Sequence, residues 1–341
     1  MLHDLDIEQP EVLLRYLRDT GRVQSNETPR LTLLKGGVSN RTVLVERAGG
    51  EAWVLKQALP KLRVKEDWFS DPARIHREAQ GLVWLSRLAP PGTITPLVFE
   101  DAAHHLLAMQ AVPQPHANWK TQLLAGRLEP DHVIQFGRLL GEFHQQSRRQ
   151  PTEVAPVFED RSFFESLRLE PYYRFAATRN PEAADFLLRL IDDTLATRLA
   201  LVHGDYSPKN ILVHQGRLVL LDHEVIHFGD PAFDLGFSLT HLLSKAHHLP
   251  AHREEFLRAA GSYWETYRQT ADDVARLPGL EARAVRHTLG CLLARVDGRS
   301  PLEYLTEAER NRQRQIVLSL LQRPPERMPA LFEAFGAALD R

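Results

Sequence analysis

This sequence of 341 residues has one cysteine, a small net charge and no long apolar run. The single cysteine, Cys291, excludes an internal disulfide and any site built from several thiolates, and it fits a reducing compartment. The formal net charge of -2 provides no global positive field for nucleic acid or for an anionic membrane surface. No stretch approaches the roughly 18 apolar residues of a membrane helix, and the N-terminus lacks an apolar signal segment. We therefore expect a cytoplasmic protein with no nucleic-acid partner and no membrane partner.

The composition and length indicate a globular protein with two lobes. Hydrophobic residues make up 43% of the chain and charged residues 25%, as in ordinary folded proteins. The length exceeds that of one usual compact domain, so two lobes are favoured over a single core. We predict an N-terminal lobe over residues 1–110, a proline-containing hinge over 111–118, and a helical C-terminal lobe over 119–341.

Local sequence patterns predict an α+β fold. One helix is expected from Pro72 to about Leu88, and another over Pro10 to Thr20. The C-terminal lobe is mainly helical, with an irregular segment near Gln150 to Asp160 and one hairpin around Gln215-Gly216. Alternating and β-branched residues predict five antiparallel strands, at residues 30–34, 41–47, 51–57, 94–100 and 104–110. A small five-stranded lobe with one helix, followed by a larger helical lobe, is the order of elements in protein kinases.

The stretch Leu201 to Gly236 places polar residues between short apolar runs. Asp205 and Asn210 have the same separation as the base and the metal-binding asparagine in the kinase catalytic loop H-R-D-x-x-x-x-N. Asp222 follows the next predicted strand, as the metal-binding aspartate of D-F-G does. We therefore expect Asp205 to orient or deprotonate an acceptor hydroxyl, and Asn210 and Asp222 to bind Mg²⁺. Glu224 is a candidate for a further metal ligand, or for a supporting residue beside the metal.

Candidate nucleotide-binding residues lie in the N-terminal lobe and the hinge. Lys56 lies near the end of the third predicted strand, like the lysine of V-A-I-K, and Glu78 on the following helix is placed to pair with it. The turn between the first two strands contains two glycines, and the N–H groups of such a turn cradle phosphate. The expected cofactors are ATP and Mg²⁺. The predicted nucleotide-binding residues are Gly36, Gly37, Ser39, Asn40, Lys56, Glu78, Gln110 and Val112.

The motifs HGDYSPKN, LLDHE and GDPAFDLG, together with the Gly36-Gly37 turn, Lys56 and Glu78, resemble the aminoglycoside phosphotransferase and choline kinase superfamily. This superfamily contains small-molecule relatives of the protein kinases. The resemblance implies a bilobal protein-kinase-like fold and an enzyme that moves the γ-phosphate of ATP to a hydroxyl of a small molecule. The implied partners are a nucleotide and a small hydroxyl-bearing substrate.

Part of the N-terminal lobe resembles methylthioribose kinase within that superfamily. The similar segments are VLKQALPKLRV, Trp68 and the helix REAQGLVWL. A methylthioribose-type sugar kinase is therefore an alternative. The chain departs from that family where Asp222-His223-Glu224 replaces its D-P-E motif, and where the catalytic loop contains Asn210, which that family lacks. The identity of the acceptor stays open.

Two other classes of protein are further alternatives. A pseudokinase would bind nucleotide and partner proteins without turnover, although this chain has a candidate at every catalytic position. The segment His223-Glu224-Val225-Ile226-His227 matches the zinc metalloprotease signature H-E-x-x-H. That signature needs a helix to place both imidazoles on one face, whereas here it follows the strand-like run RLVLLD. A helix is not expected at this position.

Two further sets of charged residues lie near the catalytic motifs. Asp234, among apolar residues, is expected to brace the backbone of the catalytic loop through hydrogen bonds. Arg295, Asp297 and Arg299 surround a glycine in an otherwise helical region. They form either a charged loop between two helices or a part of the acceptor pocket.

Overall fold

A computed structural model of the protein describes residues 5–34, 37–63 and 68–341, so the predicted site residue Gly36 lies outside the described residues. Within these ranges the N-terminal lobe contains one five-stranded antiparallel sheet, as predicted. Its strands are β1 (Arg30–Leu33), β2 (Asn40–Glu46), β3 (Ala52–Ala58), β4 (Leu97–Asp101) and β5 (Leu106–Gln110). Their order in the sheet is β1-β2-β3-β5-β4.

Helices cover both faces of this sheet. They are α1 (Pro10–Asp19) and α2 (Arg74–Leu88). Successive side chains of a strand point to opposite faces, and β5 is apolar on both. Leu106 and Ala108 pack in a cluster with α1, whereas Leu107 and Met109 pack in the core that includes α2. Both helices were predicted from the sequence, although the predicted fold class counted only one of them in this lobe.

The segment between the lobes ends in a short strand. Residues His116–Asn118 form β6, which pairs antiparallel with β8 (Ile211–His214) in the C-terminal lobe. Pro113 and Pro115 precede this strand, so they do not interrupt its hydrogen-bonded ladder. The last three residues of the predicted linker are thus a strand, which corrects the expectation of a linker without one.

The C-terminal lobe is built from helices around one large core. They are α3 (Trp119–Leu124), α4 (Pro130–Arg149), α5 (Pro151–Phe158), α6 (Ser162–Phe164), α7 (Phe175–Arg179), α8 (Pro181–Ala196), α9 (Ala232–His248), α10 (Arg253–Ala271), α11 (Leu280–Asp297), α12 (Glu307–Leu321) and α13 (Met328–Leu339). A π-helical stretch, Glu165–Arg174, joins α6 to α7. The expectation of an irregular segment near residues 150–160 is wrong for most of its length. Pro151 lies in the first turn of α5, where its missing N–H breaks no helical hydrogen bond.

Short strands position the polar motifs of this lobe. β7 (Ala200–Val202) pairs antiparallel with β10 (His227–Gly229), and β8 pairs with β9 (Arg217–Leu220). The hairpin turn Gln215-Gly216 has positive φ angles of 49° and 74°, as a tight two-residue hairpin turn requires. The segments that follow β7 and β9 lie side by side, and the Leu221 N–H donates to the Asn210 carbonyl at 2.9 Å.

Candidate active site

A cavity of about 660 Å³ lies between the two lobes and contains most of the predicted site residues. Those that line it are Gly37, Ser39, Asn40, Lys56, Asp205, Asn210, Asp222 and Glu224. Glu78 lies behind Lys56, to which it is bonded. Gln110 and Val112 are not among the described residues that line the cavity, and Gln110 lies opposite Trp53 in the sheet. The wall near the hinge is instead formed by residues such as Asn118 and Lys120 at the start of α3.

Asp234 fixes the backbone of the loop that carries the catalytic candidate. Its Oδ2 accepts a hydrogen bond from the His203 N–H at 2.7 Å, and its Oδ1 accepts one from the Gly204 N–H at 2.8 Å. The carboxylate is fully buried and also lies 3.2 Å from His144 Nε2. Gly204 has a φ of 76°, and a Cβ there would lie 2.9 Å from a methyl group of Val225. The loop therefore needs glycine at 204 and a carboxylate at 234, the bracing role expected for Asp234.

The two carboxylate oxygens of Asp205 differ in their hydrogen-bond partners. Oδ2 lies 2.8 Å from Arg168 Nη2, 2.9 Å from Lys209 Nζ and 2.9 Å from Asn210 Nδ2. Oδ1 is buried and has no hydrogen-bond partner within the described part of the chain. Burial raises the pKa of Asp205, but the positive charges of Arg168 and Lys209 outweigh it and hold that pKa below its usual range. The carboxylate is thus kept ionised, with Oδ1 left to accept a hydrogen bond.

Lys56 joins the N-terminal lobe to the loop that contains Asp222. Its Nζ lies 2.5 Å from Glu78 Oε1 and 3.1 Å from Asp222 Oδ1. Burial disfavours the charged lysine, but the charges of Asp222 and Glu78 raise its pKa above the usual value. Burial also raises the pKa of Asp222, and the charges of Lys56 and Lys209 reverse this and lower it. Burial raises the pKa of Glu78. The positive charge of Lys56 opposes this rise but does not cancel it, because the same ammonium group also pairs with Asp222.

The donor set at Asp222 and Asn210 fits Mg²⁺. Mg²⁺ prefers hard oxygen ligands and is usually bound by one or two protein groups plus phosphate oxygens and water. The Asp222 carboxylate is ionised and partly exposed, with 24% of its side chain accessible. Asn210 donates its amide N–H groups to Asp205, and its amide oxygen accepts no hydrogen bond from any described residue. Two hard oxygen donors therefore line the same cavity.

Glu224 forms an ion pair with a buried arginine. Its Oε2 lies 3.1 Å from Nε of Arg74, which is fully buried at the start of α2. Arg74 also donates to the backbone carbonyls of Ser39, Leu59 and Asp71, at 2.9 Å for Leu59 and 3.1 Å for Asp71. One oxygen of Glu224 is thus held by a contact between the lobes, which is the supporting role. Its role as a direct metal ligand stays a prediction.

Two basic residues at the centre of the site were not predicted from the sequence. Lys209 lies within HGDYSPKN, four residues after Asp205, so the motif itself contained a signal that we did not use. Arg168 lies in the π-helical stretch, and its Nε also donates to the Gly204 carbonyl at 2.9 Å. No motif surrounds Arg168 in the sequence. Interrupted helices of this kind are frequent at functional sites, but the interruption is visible only in the structure.

Arg295, Asp297 and Arg299, near the end of α11, were predicted to form either a charged loop or a part of the acceptor pocket, and they do not all have the same role. Asp297 pairs with Arg314 and accepts a hydrogen bond from Asn180, so it is a structural residue. Arg295 donates to the Tyr172 hydroxyl at 3.1 Å and to Ser300. Arg299 lines the cavity. Only the last of the three therefore belongs directly to the pocket wall.

The H-E-x-x-H segment does not have the geometry of a zinc protease. His223 and Glu224 lie in a turn and His227 lies in β10, so no helix brings the two imidazoles together. His227 stacks on Phe164 with ring centroids 4.0 Å apart, and His223 Nδ1 lies 3.1 Å from His203 Nε2. No group of three or more His, Cys, Asp or Glu that could hold a metal ion occurs in the described ranges. The metalloprotease alternative is wrong.

A two-lobed fold with a buried lysine-glutamate pair above a D-x-x-x-x-N loop and a second aspartate defines the protein-kinase-like phosphotransferases. The chain belongs to the phosphotransferase enzyme family (APH), whose model matches residues 30–272. A methylthioribose kinase of Pectobacterium atrosepticum is 26% identical over 291 residues, which cover 74% of this chain and 72% of that protein. Another, from Yersinia pestis, is 29% identical over 65% of this chain and 62% of its own length. The chain therefore spans less than two thirds of the Yersinia enzyme.

Solved structures show the same fold at low sequence identity. A choline/ethanolamine kinase family protein from Mesorhizobium loti is similar with a TM-score of 0.55 and 14% identity, over 96% of this chain and 98% of that chain. The amicoumacin kinase hAmiN, solved in complex with AMP-PNP, Ca²⁺ and Ami, is similar with a TM-score of 0.54 and 14% identity, over 95% and 99% of the two chains. The likeness extends over nearly the whole chain, so this chain has the same fold as these two proteins.

The family and fold comparisons confirm several predictions. The resemblance to aminoglycoside phosphotransferases and choline kinases, the bilobal α+β fold and the phosphotransferase class are all correct. Kinases of this family use ATP, whereas the Mg²⁺ ion and the cytoplasmic location stay predictions. Among the described residues, no helix is long and apolar enough to cross a membrane.

Proposed function

We propose that the protein transfers the γ-phosphate of ATP to a hydroxyl group of a small molecule that binds beside Asp205. One observation carries this proposal. Three donors hold Asp205 Oδ2, while the buried Oδ1 has no partner among the described residues. A carboxylate with one oxygen fixed and the other free is suited to accept a hydrogen bond from a hydroxyl and to receive its proton.

The other residues of the cavity have complementary roles in this reaction. Lys56, aimed by Glu78, binds phosphate oxygens of the nucleotide, and backbone N–H groups near Gly37 cover them. Asp222 and Asn210 would hold Mg²⁺, which neutralises phosphate charge when bound. As the hydroxyl oxygen forms its bond to phosphorus, the bond to the ADP oxygen breaks and Asp205 receives the hydroxyl proton. Most of the rate enhancement comes from positioning and charge neutralisation.

A second candidate is a sugar kinase of the methylthioribose type. The relatives named methylthioribose kinase, at 26% and 29% identity, support it. Against it stand Asn210 and His223, the positions at which the chain departs from that family's motifs. Methylthioribose belongs in the first panel of acceptors, and its rate of phosphorylation relative to other sugars decides between the two candidates.

Substitution of Asp205 tests the proposed reaction. We expect Asp205→Asn to lower acceptor-dependent ADP formation by roughly 100- to 10,000-fold, because loss of general base catalysis has effects of that size. Nucleotide affinity, measured by calorimetry, should stay close to that of the unmodified protein. Asp222→Asn should instead remove the dependence of nucleotide binding on Mg²⁺. A matched control is Asp192→Asn, which changes an exposed aspartate on α8.

Two results would count against the proposal. Unchanged turnover in Asp205→Asn would show that this carboxylate does not receive the proton. Tight nucleotide binding without ATP consumption, under every acceptor and divalent cation tried, would favour the pseudokinase alternative.

A further inference from the structure

The described residues of the cavity wall contain one cation more than they contain carboxylates. The five cations are Lys56, Lys120, Arg168, Lys209 and Arg299, and the four carboxylates are Asp205, Asp222, Glu224 and Glu303. Arg168 and Lys209 both contact Asp205, and Lys120 pairs with Glu303. Arg299 forms no ion pair within the described ranges. The carboxylates of the wall therefore do not balance its positive charge.

Two further basic residues lie close to this wall, since Lys245 shares the Tyr304 ring with Lys120 and Arg295 bonds to Ser300. Lys245 is fully buried, and its Nζ donates to the His241 carbonyl at 3.2 Å and lies 5.3 Å from the centre of the Tyr304 ring. Arg295 is 6% exposed, and its partners are a hydroxyl group and Ser300. Neither residue forms an ion pair with any described carboxylate. Burial, and then the charge of Lys120, lower the pKa of Lys245 to about 7, so this residue carries only part of a positive charge at neutral pH.

Arg299 is available to bind a ligand. Its side chain is exposed at the cavity wall, and its guanidinium carbon lies 5.2 Å from the centre of the Phe175 ring. The Arg299 N–H donates to the Pro171 carbonyl at 2.9 Å, which fixes the backbone. A guanidinium held against a ring keeps its edge N–H groups free, and these match the two oxygens of a carboxylate or phosphate group.

We propose that the acceptor carries an anionic group, a carboxylate or a phosphate, and that Arg299 binds this group while the hydroxyl lies at Asp205. This inference rests on the proposed phosphotransferase function. Arg168 and Lys209 contact Asp205 and so lie near the transferred phosphoryl group, whereas Arg299 and Lys120 contact neither Asp205 nor Asp222. Lys120 is paired with Glu303, so among the described residues the charge of Arg299 is the one left for the acceptor. Cationic acceptors such as aminoglycosides or choline would meet like charge at this wall.

A panel of acceptors that differ only in charge tests the class of substrate. It contains a neutral sugar, the corresponding sugar acid, the sugar phosphate, the amino sugar, and choline, each assayed for ATP-dependent phosphorylation. We expect one of the two anionic compounds to have a kcat/KM at least about 10-fold above the neutral sugar, and the advantage to shrink at high salt. Comparison of the acid with the phosphate identifies the anion. A best rate with the amino sugar, with choline or with the neutral sugar overturns the proposal.

Substitution of Arg299 tests the residue. We expect Arg299→Gln to lower kcat/KM for the anionic acceptor by about 10- to 100-fold, with the KM for ATP unchanged. Arg299→Lys should restore part of the loss, because it returns the charge without the planar fork. Arg276→Gln is the matched control, since that side chain is 76% exposed and its one ion pair within the described part of the chain is with Asp272. An equal loss for neutral and anionic acceptors in Arg299→Gln contradicts the assigned role.

The two proposals fail in different ways. If no acceptor of any charge stimulates ATP consumption, the phosphotransferase function fails and this inference fails with it. If a neutral or cationic acceptor is phosphorylated best, the enzyme is a kinase and only the anionic acceptor is excluded.

Discussion

Replacing Arg168 with methionine should shift the acid side of the pH–rate profile to higher pH. Asp205 can accept a hydroxyl proton only while it is ionised, so the rate falls as the pH drops through the pKa of Asp205. Arg168 is one of two cations that hold this pKa below its usual range. Its removal leaves the raising effect of burial opposed mainly by Lys209. The loss of activity should therefore begin at a higher pH than in the unmodified enzyme.

The size of this effect follows from the contacts of Asp205. A cation at hydrogen-bond distance typically lowers the pKa of a carboxylate by about 1–3 units. Lys209 stays at 2.9 Å from the same oxygen after the substitution. We therefore expect the pKa of Asp205 to rise by less than the loss of both cations would cause.

The assay is kcat/KM for the acceptor as a function of pH at saturating ATP. Arg168→Lys is the control, because it retains the charge and loses the hydrogen bond from Nε to the Gly204 carbonyl. The acid limb should move for methionine and stay nearly in place for lysine. Thermal unfolding of both variants separates a general loss of stability from a local electrostatic effect. An acid limb at the same pH in all three proteins would refute the role of Arg168.

Three further predictions concern stability and reactivity. Asp234→Asn should cost about 1–3 kcal/mol in urea unfolding, because it leaves one of two buried loop N–H groups unpaired, and an unchanged midpoint would contradict this. Gly81→Ala should lower the melting temperature, because the new Cβ would lie 2.6 Å from Cβ of His223. This clash should outweigh the preference of alanine for helices, and a higher melting temperature would show that the contact relaxes at no cost. Cys291 is fully buried, and burial raises its pKa to about 12, so a disulfide reagent should label it only after unfolding; rapid labelling of the native protein would contradict the packing.

Sequence patterns correctly predicted those features that depend on interactions between residues close together in the chain. The hairpin around Gln215-Gly216 forms as predicted, because both residues adopt the positive φ angles that a tight turn needs. α2 follows its apolar periodicity, since it begins two residues after its predicted start at Pro72 and ends at Leu88 as predicted. The catalytic motif is also local, since Asp205 and Asn210 lie on one short loop and bond to each other.

Contacts between distant segments were not predictable in the same way. Arg168 donates to a carbonyl 36 residues further along the chain, and no pattern around it marks this contact. β6 has only three residues, and its partner β8 lies almost a hundred residues later, so no local alternation identifies it. Gln110 and Val112 were predicted to bind nucleotide, but neither is among the described residues that line the cavity, whereas Asn118 and Lys120 are.

Arg74 links the two lobes in a way that has a mechanical consequence. Four of its hydrogen bonds go to backbone carbonyls of the N-terminal lobe, including that of Ser39, and its ion pair goes to Glu224 of the other lobe. If the lobes separate to exchange nucleotide, the ion pair of Arg74 with Glu224 must break, as must that of Lys56 with Asp222, and water can then solvate Glu224 but not the buried guanidinium. Separation of a buried pair in this way is costly. We expect the ion pair between Arg74 and Glu224 to resist opening of the cleft. Because Arg74 also donates to the Ser39 carbonyl, the position of the phosphate-covering turn should depend on whether the lobes are closed.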